Sequence, residues 1–330
     1  KMLQEAGQPT AAIGSLGFKI KDKEWPNNLK MTMPGRFKLQ KFLSQAKKAG
    51  CKHVVLEVTS EGIKQKTHLG IKFDCAVFTN LHKEHLESHG SFENYYQAKQ
   101  ELFKRTENVH VLNGDDPHMK LFSDFHAKHK IFYGIGTGDM RAENVQLGEG
   151  KSSFEVYGTK FDINFGGRFN VYNCLAALAV VAMYGIDLPK AKPILEKVAN
   201  IKGRMEYVQK SPFSVVVDYA HTPDSLEAVY KTLKDSLMLK AESRKLICVL
   251  GAAGGGRDKW KRPEFGKIAS LYCDQIILTD EDPFDEDPRQ ILLEVRAGIS
   301  NSKLQITKEI LNRKEGIKTA ISMAEQGDVV

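Results

Sequence analysis

HVVLEV (residues 53–58) is a short apolar run that closes on Glu57 and Val58 between polar neighbours. Continuous Val/Ile/Leu runs of this length fit strands buried on both faces of a parallel sheet, whereas half-exposed antiparallel strands alternate. The pattern recurs in DCAVFT (74–79) and VHVLN (109–113), and again in SVVVDY (214–219), LICVLG (246–251) and QIILTD (275–280). Helical patterns separate the runs, so the fold class is α/β with mostly parallel sheets. Between the two sets, KSSFEVYGTKFDINFGG (151–167) carries two alternating runs, the sign of a small antiparallel excursion. NVYNCLAALAVVAMYG (170–185) then reads as a largely buried helix capped by Gly185. A break is expected near residues 200–206, after the helical PKAKPILEKVAN (189–200), giving one unit at 1–203 and a second α/β unit at 204–330.

With 330 residues, 42% of them hydrophobic, the chain is long enough for two cores. No apolar run approaches the roughly 18 residues of a membrane span, and no secretory signal opens the chain, so a soluble protein is expected. The five cysteines (51, 75, 174, 248, 273) form no C-x-x-C pair, which suits a reducing compartment, the cytoplasm, rather than a disulfide framework. The +7 formal charge serves nucleotide phosphates and acidic small molecules as well as it serves nucleic acid. Without a zinc finger, an RNA-recognition signature or an aromatic-basic stripe, no nucleic-acid partner is expected.

Ligands of open parallel sheets gather outside the carboxyl ends of the strands. Glu57, Asp218, Asp280 and Glu281 stand there, with Thr59, Ser60 and Thr222 adding hydroxyls; capping of the next helix is the plainer role of each. FTNLHKEHLESHG (78–90) spaces His82, His85 and His89 by three and four, so a helix would align them as zinc ligands. The H-E-x-x-H order is absent, and Gly90 with Ser91 ends the turn and caps a new helix, FENYYQAKQELFKR, which turns His89 elsewhere. One divalent-metal contact or a hydrogen-bonding role is the alternative. GAAGGGRDKWKRPEFG (251–266) follows a strand and precedes a helix; Gly254–Gly256 would let the backbone approach an anion, with Arg257, Lys259, Lys261 and Arg262 adding charge. It reads otherwise as a surface loop. TDEDPFDEDP (279–288) is a solvated acidic turn or a rim that attracts a metal or an amine.

Together these segments resemble the Mur ligases, and among them the type that adds the third amino acid of peptidoglycan precursors (the MurE type). EVTSEG is similar to the family's EVSSHG, and FTNLHKEHLESHGSFENYYQAK to FTNL-x-x-DHLD-x-HG-x-x-x-x-Y-x-x-AK. GRFNVYNCLAA, GRMEYV, VVVDYAHTPDSLE and GGGRDKWKRP resemble further family elements, in order along nearly the whole chain. The resemblance implies a central ATP-binding domain, then a Rossmann-like C-terminal domain that binds the amino acid. It implies an ATP-dependent ligase that activates a carboxylate as an acyl phosphate and couples it to an amine.

The resemblance also implies site residues. Glu57 binds one magnesium ion, His85 helps hold a second, and Lys99 becomes a carbamoylated lysine that ligates metal. Asn170 lies at the adenine, Arg204 at the phosphates, and Asp218, Tyr219 and His221 face the nucleotide. Thr32, Thr59 and Gln65 hold the UDP-muramoyl dipeptide, although Thr67 stands where an arginine is expected. Arg257, Glu281 and Asp282 meet the incoming amino acid. The family's D-N-P-R loop is EDPF (281–284) here. Phenylalanine cannot clamp a distal carboxylate, and the surrounding acids favour a side-chain ammonium, so a lysine-like diamine is expected over meso-diaminopimelate. Neither the family's G-T-N-G-K-T loop nor its G-K-G-H-E element is in the sequence. The chain thus reads as an internal fragment without ligase activity of its own. A monomer using small-molecule substrates is expected. The folylpolyglutamate and cyanophycin ligases, a non-catalytic binding module on the same fold, and a zinc hydrolase built on the three histidines are the competing readings.

Overall fold

In the computed structural model, which describes residues 1–29, 31–199, 201–238, 244–299 and 306–330, the chain starts with a short α1 (Met2–Glu5). β1 (Thr10–Gly14), β2 (Gly17–Ile20) and β3 (Lys23–Trp25) follow as an antiparallel meander. After α2 (Arg36–Lys48), the run HVVL forms β4 (His53–Leu56) and joins β1 in parallel, Ala11 opposite Val54. The sheet order is β3-β2-β1-β4. β4 is a strand as expected, but not a buried one: Val54 is 37% and Val55 53% exposed. The reason is position, because β4 is an edge strand that pairs only with β1 among the described residues.

α3 (Ser60–Lys64) leads to β5 (Cys75–Phe78), and α4 (Leu86–His89) with α5 (Phe92–Lys104) fills the crossover to β6 (Val109–Asn113). α6 (Lys120–Ser123), β7 (His129–Gly134) and β8 (Met140–Arg141) complete a parallel sheet, β5-β6-β7-β8. β6 is buried at every position. β9 (Glu143–Gly148), β10 (Lys151–Val156) and β11 (Thr159–Ile163) form the antiparallel excursion. The sequence shows only β10 and β11, because β9 is nearly all exposed and carries no apolar alternation. α7 (Arg168–Met183) buries Val171, Leu175 and Leu178 completely in the first core, and Gly185 follows it at φ 81°. α8 (Leu188–Glu196) ends before Asn200, the last residue of the expected helix, which lies outside the described residues.

In the second half β12 (Glu206–Gln209) pairs antiparallel with β13 (Val215–Val217). The run SVVVDY was expected in a parallel sheet; the short link back from β12 makes one flank of β13 a hairpin instead. Its other flank is parallel: α9 (Pro223–Met238) leads to β14 (Ile247–Leu250), and Val329 bridges both Ser214 and Leu246. α10 (Lys261–Tyr272), β15 (Gln275–Leu278), α11 (Pro288–Ala297), β16 (Ile306–Glu309) and α12 (Arg313–Met323) complete the unit, with β14-β15-β16 parallel. Its own core gathers Leu250, Phe265, Ile276 and Leu278, and Phe169 of α7 packs against it.

One expectation about the cysteines fails. Cys248 and Cys273 form a disulfide, Cα–Cα 6.0 Å. Cys248 lies in β14 and Cys273 caps α10 two residues before the neighbouring β15, so the parallel crossover, not sequence spacing, brings them together. Cys51, Cys75 and Cys174 are free, and burial pushes the thiols of Cys75 and Cys174 up to about 12.

Asp115, just after β6, gathers the N–H groups of Ile135, Gly136 and Thr137 and the hydroxyls of Thr137 and Tyr172, all at 2.6–2.9 Å. Burial opposes its charge, but these donors outweigh burial and hold the carboxyl at about 2, below its ordinary 3.8. A depressed carboxyl stabilises the fold above its unfolded value and loses that contribution as pH falls through the folded one. Thermal melts of wild type and Asp115→Asn should therefore differ most above pH 4 and converge toward pH 2. A gap of constant size over that range would refute the assignment.

Candidate active site

The carboxyl end of β4 delivers Glu57, whose Oε2 accepts the Ser15 N–H at 2.7 Å. Thr59 caps α3, its Oγ1 accepting the Gly62 N–H at 3.1 Å, and the next turn carries Glu61. From the end of β5 the histidine stretch runs out as a loop, held by Asn113 to the Thr79 carbonyl and by Asp116 Oδ2 to the Leu81 N–H. His85 is in the left-handed region (φ 55°, ψ 29°), where an L-residue costs about 1 kcal/mol or more. Its ring lies between two carboxylates: Nδ1 is 3.7 Å from Glu61 and Nε2 3.7 Å from Glu84. The three histidines do not converge. His82 faces Asp224 at 3.4 Å, and His89 is buried with Nε2 3.2 Å from Ser60 Oγ. Among the described residues no group of three His, Cys, Asp or Glu is placed to hold a metal, so the zinc triplet is not formed.

Ser91 caps α5 as expected, its Oγ accepting the Asn94 N–H, and α5 carries Lys99 inward. The Lys99 Nζ lies 5.2 Å from the Tyr95 ring centre. Burial pulls its ammonium below the ordinary lysine value, while the nearby Glu84 and Glu57 carboxylates act the other way.

Asp218, at the end of β13, accepts the Met205 and Ala220 N–H groups at 2.7 Å each, and burial raises its carboxyl above the usual range. The Arg204 guanidinium stacks 4.7 Å over the Tyr219 ring, which itself lies 4.9 Å from His221. His221 Nδ1 is 2.9 Å from the Tyr219 carbonyl and Nε2 is 3.2 Å from Glu84. Both partners are acceptors, which calls for a proton on each nitrogen, and the Glu84 hydrogen bond raises His221 above its ordinary value. Burial works against the Glu84 charge, yet His221, His85 and Lys261 outweigh it and hold that carboxyl at about 2. The structure thus brings Arg204, Asp218, Tyr219 and His221 together and joins them to His85 through Glu84. Asn170 is buried in the first turn of α7, with Nδ2 donating to the Gly166 carbonyl. Sequence reasoning passed over Glu84; its signal was a carboxylate directly beside His85, where the family element has an aspartate.

Thr32 and Gln65 border one another through the loop before α2. Asn27 donates to the Thr32 carbonyl, and Gln65 Nε2 lies 3.8 Å from Met31 Sδ. An apolar cavity of about 540 Å³ opens beside them, lined by Leu29, Met31, Met33 and Phe37. Thr67, in place of the expected arginine, is buried and donates to the Gly62 carbonyl.

Two stretches of the chain match family descriptions: residues 1–181 the Mur ligase middle domain, and 203–330 the Mur ligase, glutamate ligase domain. The chain is 36% identical to a UDP-N-acetylmuramoyl-L-alanyl-D-glutamate–2,6-diaminopimelate ligase of Halalkalibacterium halodurans, covering 100% of itself and 68% of that relative. It belongs to the Mur ligase family. A UDP-N-acetylmuramyl-tripeptide synthetase of Roseiflexus sp. is 34% identical over 99% of the chain and 68% of its own length. A solved diaminopimelate ligase structure superimposes with a TM-score of 0.66 at 31% identity, over 100% of the chain and 68% of that structure. A folylpolyglutamate synthase of Mycobacterium tuberculosis reaches 0.76 at 18% identity, over 99% of the chain and 83% of that structure, which shows the shared fold alone. Mur ligases are ATP-dependent amide ligases, and this chain is an enzyme of that class.

In this Mur ligase two glycines of the glycine-rich loop are needed for packing. A Cβ on Gly254 would lie 2.2 Å from the Pro283 carbonyl, and one on Gly255, at φ 65°, would strike the Phe284 ring. The bare backbone therefore lets this loop pack against the EDPF loop. Its cations are mostly engaged: Arg262 is 1% exposed and clasped by Glu294 at 2.7 Å and Glu286 at 2.9 Å, and Lys259 also reaches Glu286. Lys261 donates to the His221 carbonyl. The Arg257 guanidinium lies 5.3 Å from the Phe284 ring centre. In the acidic run Glu286 belongs to Arg262, Asp287 caps α11 and Glu281 lies 3.7 Å from Arg313. Asp282 (φ 37°) uses its carbonyl to accept the Gly254 N–H.

Proposed function

We propose that this Mur ligase adds the third, diamino, amino acid to UDP-N-acetylmuramoyl-L-alanyl-D-glutamate through an acyl phosphate. What carries the reading is the convergence of Glu57, Lys99, Glu84 and His85 from the first half with His221 and Lys261 from the second. In the first step a substrate carboxylate oxygen bonds to the γ-phosphorus of ATP and ADP leaves. In the second the amine attacks the acyl carbon, phosphate departs, and the nitrogen loses a proton. Two anions meet in the first step, so the site must neutralise and align them.

Mur ligases use ATP with magnesium. Magnesium prefers oxygen ligands. Glu57 supplies a carboxylate and His85 a ring nitrogen. Lys99, as a carbamate, would add two further oxygens beside Glu57. The bound ion would neutralise the phosphate oxygens. Arg204 and Lys261 add fixed positive charge; Tyr219 and His221 present the stacking face. Asn170 stays the candidate for the adenine side, held in the first turn of α7. Thr32, Thr59 and Gln65 border the muramoyl-peptide side. Arg257 with Glu281 and Asp282 receives the amino acid, and Phe284 with the neighbouring acids favours a side-chain ammonium such as lysine's. The division at 203/204, a monomer and a cytoplasmic location belong to the same reading; among the described residues no helix is long and apolar enough to cross a membrane.

An amino-acid panel assayed with the complete gene product, ATP and the UDP-muramoyl dipeptide tests it. Lysine-like diamines should be joined, and Phe284→Arg should raise the kcat/KM ratio of diaminopimelate over lysine by about tenfold or more, since a bidentate carboxylate contact is gained. Exclusive use of diaminopimelate by the wild type would sink the preference. No ligation of any amino acid would sink the function.

A further inference from the structure

Contacts from the second half converge on the loop that carries His85. Asp224 faces His82, His221 faces Glu84, and the Lys259 N–H donates to Glu87 Oε1 at 3.0 Å. At their centre is Asp258, 4% exposed, whose carboxylate accepts the Leu86 N–H at 3.3 Å and the Glu87 N–H at 2.9 Å. These are the two amides that immediately follow His85. A non-glycine residue stays at φ 55° only where its surroundings impose it, and two successive amides aimed at one buried carboxylate are such an imposition. A backbone change at His85 that turned these amides away would leave the carboxylate without them. Arg257, next in the chain to Asp258, lies against the Phe284 ring of the EDPF loop.

We propose that Asp258 is a positioning residue: from across the boundary between the halves it sets the backbone of His85 and links that setting to occupancy of the amino-acid site at Arg257. The link rests on the function proposed above; the backbone restraint does not. Docking of the second half is then what aims His85, and a separated second half leaves that side chain unaimed.

The test is Asp258→Asn in the complete gene product, which keeps the side-chain volume and turns an NH₂ toward one of two N–H donors. Amide hydrogen exchange of a peptide spanning 81–91 should quicken about fivefold or more, with β6 and β15 exchanging as in wild type. kcat should fall by about tenfold while the KM for the amino acid moves by less than about twofold. Asp258→Glu should restore part of the protection. Added amino acid should slow exchange of the 81–91 peptide in the wild type and leave the Asn variant unaffected. Unchanged exchange at Leu86 and Glu87, or faster exchange spread evenly over the second half, overturns the positioning. Loss of the amino-acid effect alone overturns the link. Failure of the wild type to ligate at all refutes the proposed reaction, and the exchange data still decide the restraint.

Discussion

Ligation by the complete gene product is expected to fall by about a thousandfold or more when Lys99 is replaced by alanine, and by as much with arginine. The ammonium of Lys99 lies near the Glu57 and Glu84 carboxylates, and desolvation favours its neutral form. As an ammonium it would balance those two acids and repel a cation. As a carbamate it reverses its charge and offers two oxygens. The two roles call for opposite replacements. If positive charge were the function, Lys99→Arg would keep substantial activity, because guanidinium preserves the charge and cannot be carboxylated. The expected result is that both variants fail, and that acetate or formate added to Lys99→Ala restores a measurable fraction of kcat. Full activity in Lys99→Arg would end the carbamate reading.

Arg262→Met is expected to destabilise the second half by about 3 kcal/mol, the lower end for breaking a buried pair because Glu294 is 30% exposed. The side chain is 1% exposed and holds two carboxylates and, more weakly, the Ala253 carbonyl. Without it Glu286 keeps Lys259 and Glu294 keeps only the neutral Gln290 amide as partners among the described residues. Thermal or urea melts should show the loss, on the order of 10 °C in Tm for a unit of this size. Adding Glu294→Gln to the Met variant should recover part of it, since the orphaned charge causes most of the damage. A double variant no better than the single one would place the loss in packing instead.

How far the sequence was legible depended on whether neighbours or distant partners decide a residue's place. VHVLN is β6 to the residue, because a strand buried on both faces declares itself. HVVLEV was located correctly but its burial was not, since nothing local says which strand lies at an edge. β9 was invisible for lack of apolar alternation, and the Cys248–Cys273 pair because only the crossover joins them. The cap at Ser91 and the inward path of α5 were readable from local chemistry. Glu84, Asp258 and the clasp on Arg262 were not, since each acquires its partner from a separate element or from the other half of the chain. The same limit hid one partner of the glycine-rich loop: close approach was inferred, and at Gly254 the backbone approached is the Pro283 carbonyl.

The bridges of Val329 to Ser214 and Leu246 bear on the order in which the second half can assemble. Residues 328–330 sit in the middle of the sheet, between β13 and β14, yet α9 to α12 are all made first. During synthesis β12 and β13 emerge as a hairpin with an open flank and wait for a partner from beyond α12. Closing so long a loop costs entropy before its contacts repay it, which slows the closing event. The half of the enzyme that aims His85 therefore closes its sheet only once residues 328–330 have emerged, and the unpaired flank of β13 is the surface a chaperone would meet in the meantime.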